Sequence, residues 1–103
     1  MTRDEAERTL GDCRRQIDEI DRRILELLNE RTRVVERIGS VKKQQAMPVY
    51  EPKREDEVFR NVVDNNPGPI SAGALRRIYE RILDEMRTLQ KMRNTDPGDG
   101  PGS

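Results

Sequence analysis

The sequence predicts an all-α chain of three helices, long, short and medium, that forms an intertwined helical homodimer. Three observations predict it. Apolar residues recur at helical spacing through most of the chain, proline-containing segments interrupt that pattern twice, and no stretch alternates as a strand would. The first uninterrupted stretch is also too long for a compact domain of 103 residues. Part of its apolar stripe is therefore expected to be covered by another chain.

From residue 4 to about residue 45 there is no proline, and Ile17, Ile20, Ile24, Leu27, Leu28, Val34, Val35, Ile38 and Val41 form one stripe. About forty residues at the helical rise make a rod roughly 60 Å long. Gly39 lies inside this helix. It is either a weak spot, costing up to about 1 kcal/mol relative to alanine, or a place of close backbone approach to a partner or ligand. Pro48 and Pro52 are expected to break the helix, with Pro52 opening the second one. Val58, Phe59, Val62 and Val63 give that helix its apolar face, and it is expected to end near Asn65–Asn66–Pro67. Ser71 is placed to cap a third helix, whose stripe runs Leu75, Ile78, Tyr79, Ile82, Leu83, Met86 and Leu89. Residues 1–93 are expected to form one domain. Residues 94–103, rich in glycine and proline, are expected to be a disordered tail.

Composition narrows the function. Only 32% of residues are hydrophobic and 39% are charged, so a monomer would have a thin core. Lys+Arg and Asp+Glu each total 20, which argues against broad binding of nucleic acid. With no histidine, a His-ligated metal, a Ser–His triad and a histidine base are excluded. Cys13 is the single cysteine, which suits a reducing compartment. The opening MTRDEAERTL lacks the apolar stretch of a secretory signal, and no run approaches a membrane span. A cytoplasmic protein without metal, membrane or nucleic-acid partners is expected.

The informative residues are polar ones that interrupt apolar stripes. Arg31 lies seven residues after Ile24 and seven before Ile38, and Lys42 lies four after Ile38. Arg14 precedes Ile17 by three, Gln90 follows Met86 by four, and Glu55 lies one turn ahead of Phe59. Any one of these long side chains could snorkel to water from a stripe edge. Three cations and a glutamine on apolar faces point instead to a binding site, because a buried cation without a partner is costly. The expected ligand is a small anion with two negative groups. Arg14 and Arg31 are seventeen residues apart, roughly 25 Å along a continuous helix. They cannot clasp one small molecule from the same chain, whereas an antiparallel second copy would bring its own Arg14 beside Arg31.

At this point the pattern resembles the all-helical (AroQ-class) chorismate mutases, over residues 10–93. The residues that carry the resemblance are CRRQIDEID with Arg14, LLNER with Arg31 and RIGSVK with Gly39 and Lys42. PVYEPKRE, with Arg54 and Glu55, and ILDEMRTLQ, with Gln90, complete it. Each piece alone is a weak match; in order and at this spacing they are specific. The resemblance implies the pericyclic rearrangement of chorismate to prephenate, in phenylalanine and tyrosine biosynthesis, without a cofactor. It implies that the second copy's Arg14, with Arg31 and Arg54, binds two carboxylates, that Lys42 and Gln90 donate to the ether oxygen, and that Glu55 accepts the ring hydroxyl. Lys42, Gln90 and Arg31 would be the catalytic set. Two positions depart from the family's pattern. Met86 stands where many members have a carboxylate-contacting serine, and Glu51 stands where some have aspartate.

Two other readings compete. An isochorismate pyruvate lyase would share the fold and nearly the same cationic cage. A non-catalytic helical interaction module would place apolar residues at positions 31 and 42 and gives no reason for Gln90. Whether another enzyme of the shikimate pathway is a partner cannot be read from the residues.

Overall fold

The computed structural model describes residues 1–95, which form α1 (Arg3–Gln44), α2 (Pro52–Asp64) and α3 (Ala72–Thr95), with no strand among them. The expected all-helical order of long, short and medium is what the chain adopts. Asn94 and Thr95, expected in the tail, belong to the last turn of α3, and the rest of that segment lies outside the described residues.

Each helix start has a local cause. The Thr2 hydroxyl accepts the N–H of Glu5 at 3.1 Å, and the Thr2 N–H donates back to the Glu5 carboxylate at 3.4 Å. This reciprocal box satisfies two of the donors that open α1. Pro52 sits at the start of α2, where its missing N–H costs nothing. Ser71 caps α3 as expected, its hydroxyl accepting the N–H of Ala74 at 3.1 Å.

The end of α1 adds a turn to the expected proline stop. Pro48 and Pro52 lie just beyond the end of the helix, where they cannot continue it. The chain turns at Ala46, which takes a left-handed φ of 53°. The N–H of Met47 then reaches the carbonyl of Lys42 at 2.8 Å, and that of Ala46 reaches Lys43 at 3.4 Å. That pair of bonds is a Schellman closure, a position that glycine usually fills.

The chain divides into two units, Met1–Val34 and Val35–Ser103. The first is helical, with short-range ion pairs such as Arg3–Glu7 and Arg22–Glu19 on its surface. Such exposed pairs stabilise a helix by only about 0.3–0.5 kcal/mol each. Leu10, Ile17, Ile20, Ile24 and Leu27 on this unit are all exposed, Leu27 to 64%. In the second unit Val58 and Phe59 of α2 are buried with Leu83 of α3, and Tyr79 packs against them. Arg76 lays its guanidinium over the Phe59 ring, 4.2 Å from the centroid. Among the described residues no helix is long and apolar enough to cross a membrane.

Candidate active site

Lys42 lies in the last turn of α1, on the face that also buries Val35 and Gly39. It is only 6% exposed. Its ammonium donates to the Val49 carbonyl at 2.9 Å and pairs with the Glu51 carboxylate at 2.9 Å. The turn at Ala46 makes this geometry, because it folds the α1–α2 connection back over the helix end. An ammonium has three donors. Two are engaged here, leaving one to be directed elsewhere.

Gln90 of α3 is the other buried polar side chain among the described residues, 9% exposed. Its Oε1 has no hydrogen-bond partner among the described residues. Leaving a buried polar atom unmatched costs about 1–3 kcal/mol, so the position is not one that stability alone would select. A Cβ at Gly39 would lie 3.4 Å from the Gln90 Cγ, an ordinary van der Waals contact, so Gly39 lies against the Gln90 side chain. A small cavity of about 30 Å³ lies beside this contact, lined by Gly39, Ser40 and Lys43 with Leu89 and Gln90.

The start of α2 presents Glu51, at its N-cap, with Arg54 and Glu55 in the first turn. Glu51 and Arg54 line an open depression of about 650 Å³ together with Ile38, Pro52 and Glu57. Arg54 pairs with Glu57 one turn away at 3.2 Å, both well exposed. Glu55 is held more firmly. Arg87 of α3 donates to its Oε2 from Nε at 3.0 Å and to its Oε1 from Nη2 at 2.9 Å. The hydrogen bond to Glu55 is the main influence that raises the Arg87 pKa above the usual arginine value, with Asp84 adding to it and desolvation opposing it.

The structure therefore brings Lys42 to Glu51, Gln90 to Gly39, and Glu51 and Arg54 to one depression. Gln90 and Arg54 line different cavities. Met86 is half-buried on the apolar face of α3. Arg14 and Arg31 both belong to the first unit. Arg14 is exposed and Arg31 half-buried, and neither makes an ion pair or hydrogen bond among the described residues. Sequence reasoning missed Arg87 and the ion pair of Arg93 with Glu36 at 2.9 Å. Arg87 had a signal: it continues the line of Tyr79 and Leu83 at four-residue steps, one more charge on an apolar face.

Comparison with known proteins gives a consistent answer. A family model described as chorismate mutase type II matches residues 13–91. A bifunctional chorismate mutase/prephenate dehydratase of Aquifex aeolicus is 37% identical over 86 residues, covering 80% of this chain. The chain spans only 24% of that relative's length. A chorismate mutase of Methanocaldococcus jannaschii is 29% identical over 80% of this chain and 84% of its own length. Among solved structures, a chorismate mutase of Thermus thermophilus superposes with a TM-score of 0.79 at 32% identity, over 81% of this chain and 94% of that one. The matched span takes in more than half of the 103 residues and reaches from within α1 to the buried face near the end of α3, and the chain belongs to the chorismate mutase type II family.

Proposed function

We propose that this protein is a chorismate mutase of aromatic amino-acid biosynthesis, cytoplasmic, acting as a homodimer through the domain of residues 1–93. The observation that carries the reading is the pair of buried polar side chains, Lys42 and Gln90, on otherwise apolar helix faces. Family membership supports it, as do related proteins named for that activity.

Chorismate is a dianion that rearranges within one molecule: its ether C–O bond breaks as a C–C bond forms, with no proton transfer and no covalent link to protein. Such a step gains from holding the reacting ends together and from donors aimed at the oxygen on which negative charge grows. Lys42, fixed by Val49 and Glu51, keeps one N–H for that oxygen. The Gln90 amide supplies the second donor, since a half-turn of its terminal torsion exchanges its oxygen and nitrogen. Arg31 and Arg54, with the partner's Arg14, bind the two carboxylates through planar forks that match them. Glu55 accepts the ring hydroxyl with the lone pairs that Arg87 leaves. Met86 closes the apolar side of the site, and Glu51 borders it through Lys42. The exposed stripe from Leu10 to Leu27 supports a second copy as the partner.

The experiment is to give the purified protein chorismate and isochorismate separately. The reading expects prephenate from chorismate. Salicylate and pyruvate from isochorismate, without turnover of chorismate, would replace it with the lyase; turnover of neither would favour a non-catalytic module.

A further inference from the structure

Arg87 is held on three sides. It makes a bidentate pair with Glu55, a further contact with Asp84 at 3.1 Å, and its guanidinium lies over the Tyr50 ring, 5.2 Å from the centroid. Tyr50 comes from the α1–α2 connection, Glu55 from the first turn of α2, and Asp84 from α3 itself. One side chain thus joins three segments around the helix start that presents Glu51, Arg54 and Glu55. The Glu55 pair is largely shielded, with side chains 26% and 21% exposed, so water screens it less than the exposed pairs of this chain.

We propose that Arg87 is a positioning residue for the substrate's ring hydroxyl, acting through Glu55. This rests on the reading of Glu55 given above. A carboxylate has about four lone-pair sites, and the arginine fork takes one on each oxygen in a single plane. The remaining sites are thereby fixed in direction. A hydroxyl donor is then accepted in one orientation. Lysine would balance the charge but, as a point cation without a fork, would not fix the plane.

The ring hydroxyl keeps its bonds while the ether breaks, so its contact is equally strong in the bound substrate and the transition state. Loss of such a contact raises KM and leaves kcat. The experiment measures kcat and KM for chorismate with the full-length wild type and the R87M, R87K, E55Q and R87M/E55Q proteins, with melting temperatures alongside. R87M should raise KM about tenfold with little change in kcat, a size appropriate to one misdirected charged hydrogen bond. E55Q should raise KM similarly, and adding R87M to E55Q should raise it no further. R87K should recover thermal stability more fully than KM.

A fall in kcat that tracks the melting temperature, or an R87M effect that persists undiminished in the E55Q protein, would make Arg87 a helix tie only and overturn the proposal. Full recovery of KM in R87K would reduce its role to charge balance and overturn the positioning claim. An unchanged KM in E55Q would remove the reading of Glu55, and wild type without turnover of chorismate would remove the reading of the enzyme; the proposal falls with either.

Discussion

Glu51 holds its carboxylate 2.9 Å from the ammonium of Lys42, an exposed residue of one helix start fixing a buried residue of another helix end. The asymmetry matters. Lys42 is out of water and needs a partner, whereas Glu51 can reach solvent without it. Removing Glu51 leaves the ammonium with the Val49 carbonyl alone, so Glu51→Ala should cost about 1 kcal/mol, a value reduced by the exposure of the carboxylate. It should also lower kcat several-fold, because the donor assigned to the ether oxygen is no longer fixed. Melting temperature and steady-state kinetics check both; a stability loss at unchanged kcat would make the pair purely structural.

Ala46 bears the strain of the turn that builds this pair. An alanine at φ 53° is disfavoured by contact between its Cβ and the backbone, which glycine lacks. Ala46→Gly should stabilise the protein by up to about 1 kcal/mol, the left-handed cost of roughly 1–2 kcal/mol being offset in part by glycine's larger loss of chain entropy. Activity should be unchanged, because the backbone path to Val49 and Glu51 is kept. Chemical denaturation of both proteins reads the gain directly.

Much of this architecture was legible in the sequence, and for a definite reason. Helices declare themselves locally: the stripe of α1, the proline opening α2 and the Ser71 cap are each set by residues within a few positions. Lys42 and Gln90 were legible as polar residues at apolar positions, a conflict between local pattern and expected burial. What was not legible depends on contacts distant in sequence or on unusual backbone. The Glu55–Arg87 pair joins residues 32 positions apart, and no periodicity links them. That Gly39 lies against Gln90 was hidden for the same reason, since only packing brings the two together. The turn at Ala46 was hidden because alanine is the strongest helix former and gives no sign of a left-handed turn.

The shared site has its own test. Arg14 and Arg54 are proposed to reach one substrate from different chains, so Arg14→Ala and Arg54→Ala should each be nearly inactive. Refolded together, they should form mixed dimers in which one site of two regains every cage residue. Activity in the mixture should rise towards half that of wild type in proportion to the mixed dimer present. Mixed dimers that stay inactive would place Arg14 outside the substrate's reach.

The most direct test of the account is turnover of chorismate against pH by the wild type and by Gln90→Glu, with folding checked at each pH. The central claim is that Lys42 and Gln90 donate hydrogen bonds to the ether oxygen as it becomes negative. An amide donates at any ordinary pH, so Gln90 should impose no pH dependence on the wild type. A glutamate in its place donates only when protonated; ionised, it sets a negative charge against a developing one. The variant should therefore lose most of its activity at neutral pH and regain it as the pH falls through the new carboxyl's pKa. A wild type that forms no prephenate, or two profiles that run parallel, would contradict the account.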